Sequence, residues 1–438
     1  PNPLSPPNSS LTTHKSQPTT LNSQLSPMPS SSIPRLLLVT RWFLPTQGGA
    51  QHHAARLALA WQDLGGESRV VTGRFDPAWP AEERMFGGRL RVTRIASPQR
   101  PRGAGTLVYL NALRQFLLRE RASYDAILVH FLKYSAMLCG AMRGQLGGAP
   151  VIARVEGAGP TGDIGTLRSL WAQRLVRAGI RRIDRLVGIS RRTVEEIAAE
   201  GFDRSRIALI PNGVDCEQFR PLAAQEDRAA LRREFDPAAA PDDLVMICLG
   251  RLVPIKALDL LIETLAKWQP APEDAKGASE RRGAAPLSWR LWIAGDGPER
   301  AHFESLARVG GLAERVKFLG HVEASERLLR AADVFLQPSR EEGLSLALLE
   351  AMASGLGVVA TRVSGSEDHI SPGETGLLTE PGDAAGLRAA IGNLLGDAPL
   401  RRRMGEAARR HVLAECAMPV VARRYAELFL EIPVHKTR

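Results

Sequence analysis

A chain of 438 residues, 44% hydrophobic and 24% charged, exceeds one ordinary core and implies two domains. No apolar run approaches the about 18 residues that a membrane span needs, and Cys139, Cys216, Cys248 and Cys416 form no C-x-x-C pair. A spanning helix, a disulfide framework and a structural zinc are therefore not expected, and a reducing cytoplasm is the expected compartment. The net charge of +10 raises the question of nucleic acid, but aromatics at 5% and the lack of zinc-finger spacing argue against it.

Residues 1–34 are Ser, Pro, Thr and Asn with few large apolar side chains, and are expected to form a disordered tail. Alternation of strands and helices then begins. "RLLLVT" (35–40) reads as a buried strand, a glycine-containing loop follows, and a helix is expected around Ala50–Leu64. "SRVVTG" (68–73), "YDAILVHFL" (124–132), "APVIARVE" (149–156) and "RIDRLVGIS" (182–190) continue the strands. The series restarts with "DLVMICLGRL" (243–252), "WRLWIAGDG" (289–297), "RVKFLG" (315–320), "ADVFLQPS" (332–339) and "GVVAT" (357–361). The fold class is α/β: two doubly wound domains with parallel sheets facing a cleft, divided near "ALIPNGVDCEQFRP" (208–221). The polar, Pro/Gly-rich stretch 269–287 reads as a surface insertion. Between Arg168 and Arg192 eight arginines face one acid, Asp184, which suits an anionic membrane surface or anionic acceptor.

"EGAGPTG" (156–162) matches G-x-G-x-x-G after a strand, but comes late in its domain and carries Pro160 where backbone should approach a pyrophosphate. A mobile or acceptor-facing loop is the better reading. No P-loop, H-E-x-x-H, G-x-S-x-G or D-x-D occurs, so metal hydrolysis and acyl transfer lack support and no metal ligand is assigned.

The chemistry gathers in the second half. "GRLVPIK" places Arg251 and Lys256 in a loop after a strand, where open α/β sheets bind ligands. "IAGDGP" provides a tight turn at Gly295. "EEGLSLALLEA" supplies Glu342, then Gly343, then a helix start whose N–H groups near Leu344, Ser345 and Leu346 lack intrahelical partners, and Glu350 near the second turn. Two cations and a helix N-terminus suit a pyrophosphate, and two carboxylates suit sugar and ribose hydroxyls.

These motifs carry a resemblance. "EGLSLALLE" is similar to the E-x7-E element of retaining glycosyltransferases of family 4, which have the GT-B fold. "PTQGGAQHHAARLALAWQDLG", "IPNGVDCEQFRP", "GRLVPIKALDLLI", "FLGHV" and "GETGLL" resemble that family's other elements, in its order. The resemblance implies an acceptor-side Rossmann-like domain at 35–215, a nucleotide-sugar-binding one at 216–415, and a C-terminal helix, 416–438, crossing back to the first. It implies that Glu342 holds donor-sugar hydroxyls, Glu350 the ribose, and Arg251 and Lys256 the diphosphate. Gly48 and Gly49 would face donor and acceptor, and His130 the transferring sugar. Ala257, Gly357 and "GLSL" depart from the family's usual residues. The implied activity is retaining transfer from a nucleotide diphospho-sugar donor to a carbohydrate or lipid-linked acceptor, with no cofactor, in the cytoplasm or at the membrane's inner face. An epimerase or a non-catalytic nucleotide-sugar-binding protein on the same fold is the alternative.

Overall fold

The computed structural model describes residues 33–46, 48–99, 104–170, 172–268 and 288–433, so the tail up to residue 32 and the insertion 269–287 lie outside the described residues. Ile33 and Pro34, assigned above to the tail, belong to the fold. Ile33 is buried, and the Pro34 carbonyl accepts a hydrogen bond from Trp61 Nε1 at 2.9 Å.

Every residue of β1 (Leu36–Val39) is buried, as a strand covered on both faces requires. After it come α1 (Gly49–Asp63), β2 (Ser68–Arg74), β3 (Glu82–Met85), β4 (Leu90–Ala96), α2 (Ala104–Arg119) and β5 (Ala126–His130). The first half closes with α3 (Tyr134–Ala141), β6 (Val151–Arg154), α4 (Asp163–Ser169), α5 (Gln173–Ile180), β7 (Arg185–Gly188), α6 (Arg191–Ala199) and β8 (Ile207–Leu209). The sheet order is β3-β4-β2-β1-β5-β6-β7-β8, parallel except for the β3–β4 pair. That edge hairpin departs from the all-parallel expectation. Its sequence signal is Gly87-Gly88, both at positive φ, between two strand-forming runs.

The second half contains α7 (Arg228–Phe235), β9 (Leu244–Leu249), α8 (Leu258–Ala266), β10 (Trp289–Ala294), α9 (Arg300–Val309), β11 (Val316–Gly320) and α10 (Ser325–Ala331). Then follow β12 (Val334–Gln337), α11 (Leu346–Ala353), β13 (Gly357–Thr361), α12 (Ser366–His369), β14 (Leu377–Thr379), α13 (Ala384–Gly396), α14 (Ala398–Glu415) and α15 (Met418–Leu430). This sheet is wholly parallel, in the order β11-β10-β9-β12-β13-β14.

Each sheet reverses its winding direction once, between β1 and β5 in the first and between β9 and β12 in the second. Loops leaving two such strands diverge and open a crevice, the usual ligand position in doubly wound sheets. The α15 helix packs on the first domain. Val421, Tyr425 and Phe429 bury against Leu36, Leu57 and Trp61, with Phe429 edge-on to the Trp61 ring at 6.0 Å.

Where α12 and α14 meet, His369 Nδ1 lies 3.0 Å from His411 Nε2, and Cys416 Sγ lies 3.6 Å from His369 Nδ1. Burial pulls the His369 pKa from 6.5 down to about 4, with His411 acting the same way. A depressed histidine stabilises the fold above its unfolded pKa, and that contribution is lost as pH falls toward the folded value. Denaturation is therefore expected to show about 2 kcal/mol less stability at pH 5 than at pH 7 from this group. His369→Asn should flatten the slope, whereas parallel profiles for both proteins would remove His369 as its source.

Candidate active site

The β9 and β12 loops meet at the second switch point. Lys256 ends the short turn Pro254–Lys256, and its Nζ lies 2.5 Å from Glu342 Oε1. Ser339 Oγ donates to the same oxygen at 2.8 Å. Arg251 is exposed, with no side-chain partner among the described residues. Gly250, Arg251, Lys256 and Ser339 line one recess over these strand ends. Ala257, standing where the resemblance leads one to expect glycine, adopts φ 51° at the start of α8. That left-handed geometry is what a glycine would take without steric cost.

Gly295 serves this loop from beneath. A Cβ there would lie 1.9 Å from the Gly250 carbonyl oxygen, so its smallness lets the β10 loop close behind Arg251. Gly343 works differently. Its missing Cβ would lie 2.9 Å from Gly157 Cα and 3.1 Å from the Glu156 carbonyl oxygen, both in the first domain. Beside it, the Leu344 carbonyl accepts from Asn212 Nδ2 at 2.8 Å. Ser345 caps α11 by accepting from Leu348 N at 3.3 Å. Gly48 and Gly49 open α1 opposite this helix start, with Leu346 Cδ1 3.2 Å from where a Gly49 Cβ would stand. The two domains thus touch across the N-terminus of α11.

Glu350 is part-buried in α11 and already has a partner. Arg56 of α1 reaches across the cleft to its Oε1 at 3.2 Å, donates to Gln218 Oε1 at 3.1 Å, and lies 5.1 Å over the Phe219 ring. Burial pushes the Glu350 carboxyl above its ordinary range, and Arg56 opposes the shift. Sequence reasoning missed Arg56. It stands 294 residues from Glu350, and one arginine on an amphipathic helix carries no signal of its partner.

His130, at the end of β5, is buried. Its Nδ1 lies 2.6 Å from Glu156 Oε1, and Arg154 Nε lies 2.9 Å from the same oxygen. His130 Nε2 is buried with no hydrogen-bond partner among the described residues. Burial lowers the ring's pKa, with Glu156 opposing, so the imidazole is held toward its neutral form. Arg154 also contacts His53 Nδ1 at 3.1 Å and donates to Asn212, which joins this buried cluster to the Leu344 carbonyl. Asp163 ties the β5 and β6 loops together by accepting from Leu132 N at 3.0 Å and Glu156 N at 2.8 Å. The "EGAGPTG" loop faces the second domain, where Thr161 Oγ1 donates to Glu341 at 3.1 Å.

Of the twelve expected site residues, ten converge on the two faces of the cleft. Gly295 lies beneath the Arg251 loop, and His130 is buried behind the first-domain face. Among the described residues no helix is long and apolar enough to cross a membrane.

Comparison with known proteins bears on the family and the fold. Residues 48–213 match the family model "Glycosyl transferase 4-like domain" and residues 243–397 match "Glycosyl transferases group 1". The chain is 29% identical over 412 residues to the GDP-mannose-dependent monoacylated alpha-(1-6)-phosphatidylinositol monomannoside mannosyltransferase of Corynebacterium glutamicum, covering 92% of this chain and 100% of that protein. It is 28% identical to the 2-deoxystreptamine N-acetyl-D-glucosaminyltransferase of Streptomyces fradiae, covering 86% of this chain and 89% of that one. In fold it is similar to Anabaena Alr3699/HepE in complex with UDP, with a TM-score of 0.71 at 19% identity, over 90% of this chain and 98% of that structure. With both halves matched and the two sheets arranged as they are, the chain belongs to the GT4-type glycosyltransferases of GT-B fold.

Proposed function

We propose that this glycosyltransferase moves a sugar from a nucleotide diphospho-sugar to a carbohydrate or lipid-linked acceptor, with retained anomeric configuration and without a metal ion. The observation that carries the reading is the placement of Lys256, Arg251, Glu342 and the α11 N-terminus around one switch-point crevice. The Corynebacterium relative's name specifies a GDP-mannose donor and a phosphatidylinositol mannoside acceptor, which supports the donor and acceptor classes.

In the reaction the bond from the anomeric carbon to the phosphate oxygen breaks and a bond to the acceptor oxygen forms. Negative charge grows on the departing diphosphate, where Lys256, Arg251 and the α11 N–H groups stabilise it. Lys256 and Glu342 neutralise one another without ligand. With donor bound, the phosphates take the ammonium and a sugar hydroxyl donates to the carboxylate. Glu342, paired with Lys256 and Ser339, is a poor nucleophile, which favours same-face attack with the acceptor proton passing to the leaving phosphate. His130 Nε2 retains hydrogen-bonding capacity for a sugar hydroxyl once the cleft opens to it. Contact between the domains at Gly343 and Gly49 keeps water, the competing acceptor, from the reacting carbon.

A peripheral position at the membrane's inner face fits α5 and the turn after it, where Arg174 and Leu175 near the helix start and Arg181 and Arg182 past its end are exposed. The patch is less cationic in space than along the chain. Arg168 and Arg177 both pair with Glu200, and Arg192 with Glu196, acids outside the short stretch or on the next helix.

The test is thermal shift with UDP-, GDP-, ADP- and TDP-sugars in chelator, for the wild type and Glu350→Ala. A donor at a hundredfold excess over its Kd adds about 2.7 kcal/mol of stability. One nucleotide should stabilise the wild type and fail to stabilise the variant. No shift with any of them would overturn the donor reading, and a shift that needs a divalent cation would overturn metal independence.

A further inference from the structure

The first domain has its own switch-point crevice, between β1 and β5, facing the donor side. Trp42 lies at the same sheet edge, just after β1 and in the same loop as the Gly48–Gly49 turn, with its ring toward the loop after β2, and remains 42% exposed. It is not a loose surface ring. Its indole stacks on Phe75 with centroids 4.1 Å apart and planes at 20°, and Phe75 meets Trp79 edge-on at 6.3 Å and 85°. The Arg94 guanidinium closes the row 5.8 Å over Trp79, and is itself buried and donates to the Leu44 carbonyl at 2.9 Å. Thr40 Oγ1 donates to the Trp42 carbonyl at 2.9 Å, fixing the backbone. One aromatic surface is thus held in place by the row beneath it and offered to solvent.

The loop after β5, at the same sheet edge, shows a second sign of function. Phe131, directly after β5, has φ 72°, a left-handed conformation costly for a bulky side chain and typical of ligand-binding loops. The Lys133 ammonium lies 5.7 Å from its ring. An exposed, rigid aromatic face at a sheet's ligand-binding edge suits a pyranose ring, whose apolar C–H face stacks on aromatics while its hydroxyls reach polar groups at the rim.

We propose that Trp42 is the stacking platform for a pyranose ring of the acceptor, with Phe131 and Lys133 forming the other wall of that subsite. The assignment of this sugar as acceptor rests on the transferase reading; the binding of a sugar ring does not. The rival role, insertion of Trp42 into a bilayer, is less suited to a ring anchored in a stacked row beside the donor-facing turn. The exposed Leu107 and Leu175 lie instead on helices α2 and α5.

The test titrates methyl pyranosides of mannose, glucose, galactose and N-acetylglucosamine into the full chain by saturation-transfer NMR, for the wild type, Trp42→Phe and Trp42→Ala. Nucleotide-sugar thermal shift and sedimentation with phosphatidylglycerol vesicles run in parallel. At least one pyranoside should bind the wild type, about tenfold more weakly to Trp42→Ala, with Trp42→Phe between them and the nucleotide shift unchanged in both variants. Equal pyranoside binding by wild type and Trp42→Ala, or none by the wild type, would overturn the platform. Vesicle binding lost in Trp42→Ala with sugar binding unaltered would assign the ring to the membrane instead. Sugar binding at Trp42 with no nucleotide shift in the wild type would sink the transferase reading while leaving the platform standing.

Discussion

Lys256→Met is expected to lower kcat about a thousandfold with a smaller change in KM. The ammonium stands at the switch point where the leaving diphosphate gathers charge, and a fixed donor aimed at developing charge is worth more in the transition state than in the ground state. Methionine keeps an unbranched apolar stem, one atom shorter, but removes the charge. The same change leaves Glu342, only 12% exposed at its side chain, without its cation. Some loss of stability is therefore expected and must be separated from the loss of rate. Lys256→Met combined with Glu342→Gln removes both charges and should recover most of the stability while activity stays low. Rapid kinetics with the donor found by thermal shift would decide the matter. A raised KM with kcat intact would make Lys256 a ground-state anchor only.

Gly343→Ala is expected to cost about a hundredfold in kcat/KM while each domain stays folded, because misplacement near 1 Å at a reacting centre carries that penalty. The added methyl would meet Gly157 Cα at 2.9 Å and the Glu156 carbonyl at 3.1 Å, backbone atoms that cannot rotate aside. The strain is relieved most simply by parting the domains. Parting would also stretch the Asn212–Leu344 bond and the Arg56–Glu350 pair, which cross the same cleft. Small-angle scattering should show a larger radius of gyration, and calorimetry should show donor binding largely kept. An unchanged radius with unchanged activity would mean the loop absorbs the methyl locally and the closed contact is not needed for transfer.

Much of the site was legible because it depends on local chemistry. Lys256, Glu342, Gly343 and the α11 start lie where a strand ends, a loop turns and a helix begins, and that punctuation is written in consecutive residues. The Gly87-Gly88 hairpin is equally local, but the repeating βα pattern on either side of it masks its signal. Arg56, by contrast, gains its meaning only when α1 is laid across the cleft from α11, and the basic stretch after Arg168 loses charge at Arg168 and Arg177 only when Glu200 folds back on it. Glu350 shows both sides: its position on the helix was readable, but its occupation by an arginine was not.

By itself the sequence determined most of the elements, their parallel winding outside the β3–β4 hairpin and the second-domain sheet edge that carries chemistry, since apolar periodicity and glycine placement act over a few residues. Tertiary structure alone decided which charges meet and which faces close, because pairing energies depend on distance and burial between segments that share no neighbourhood along the chain.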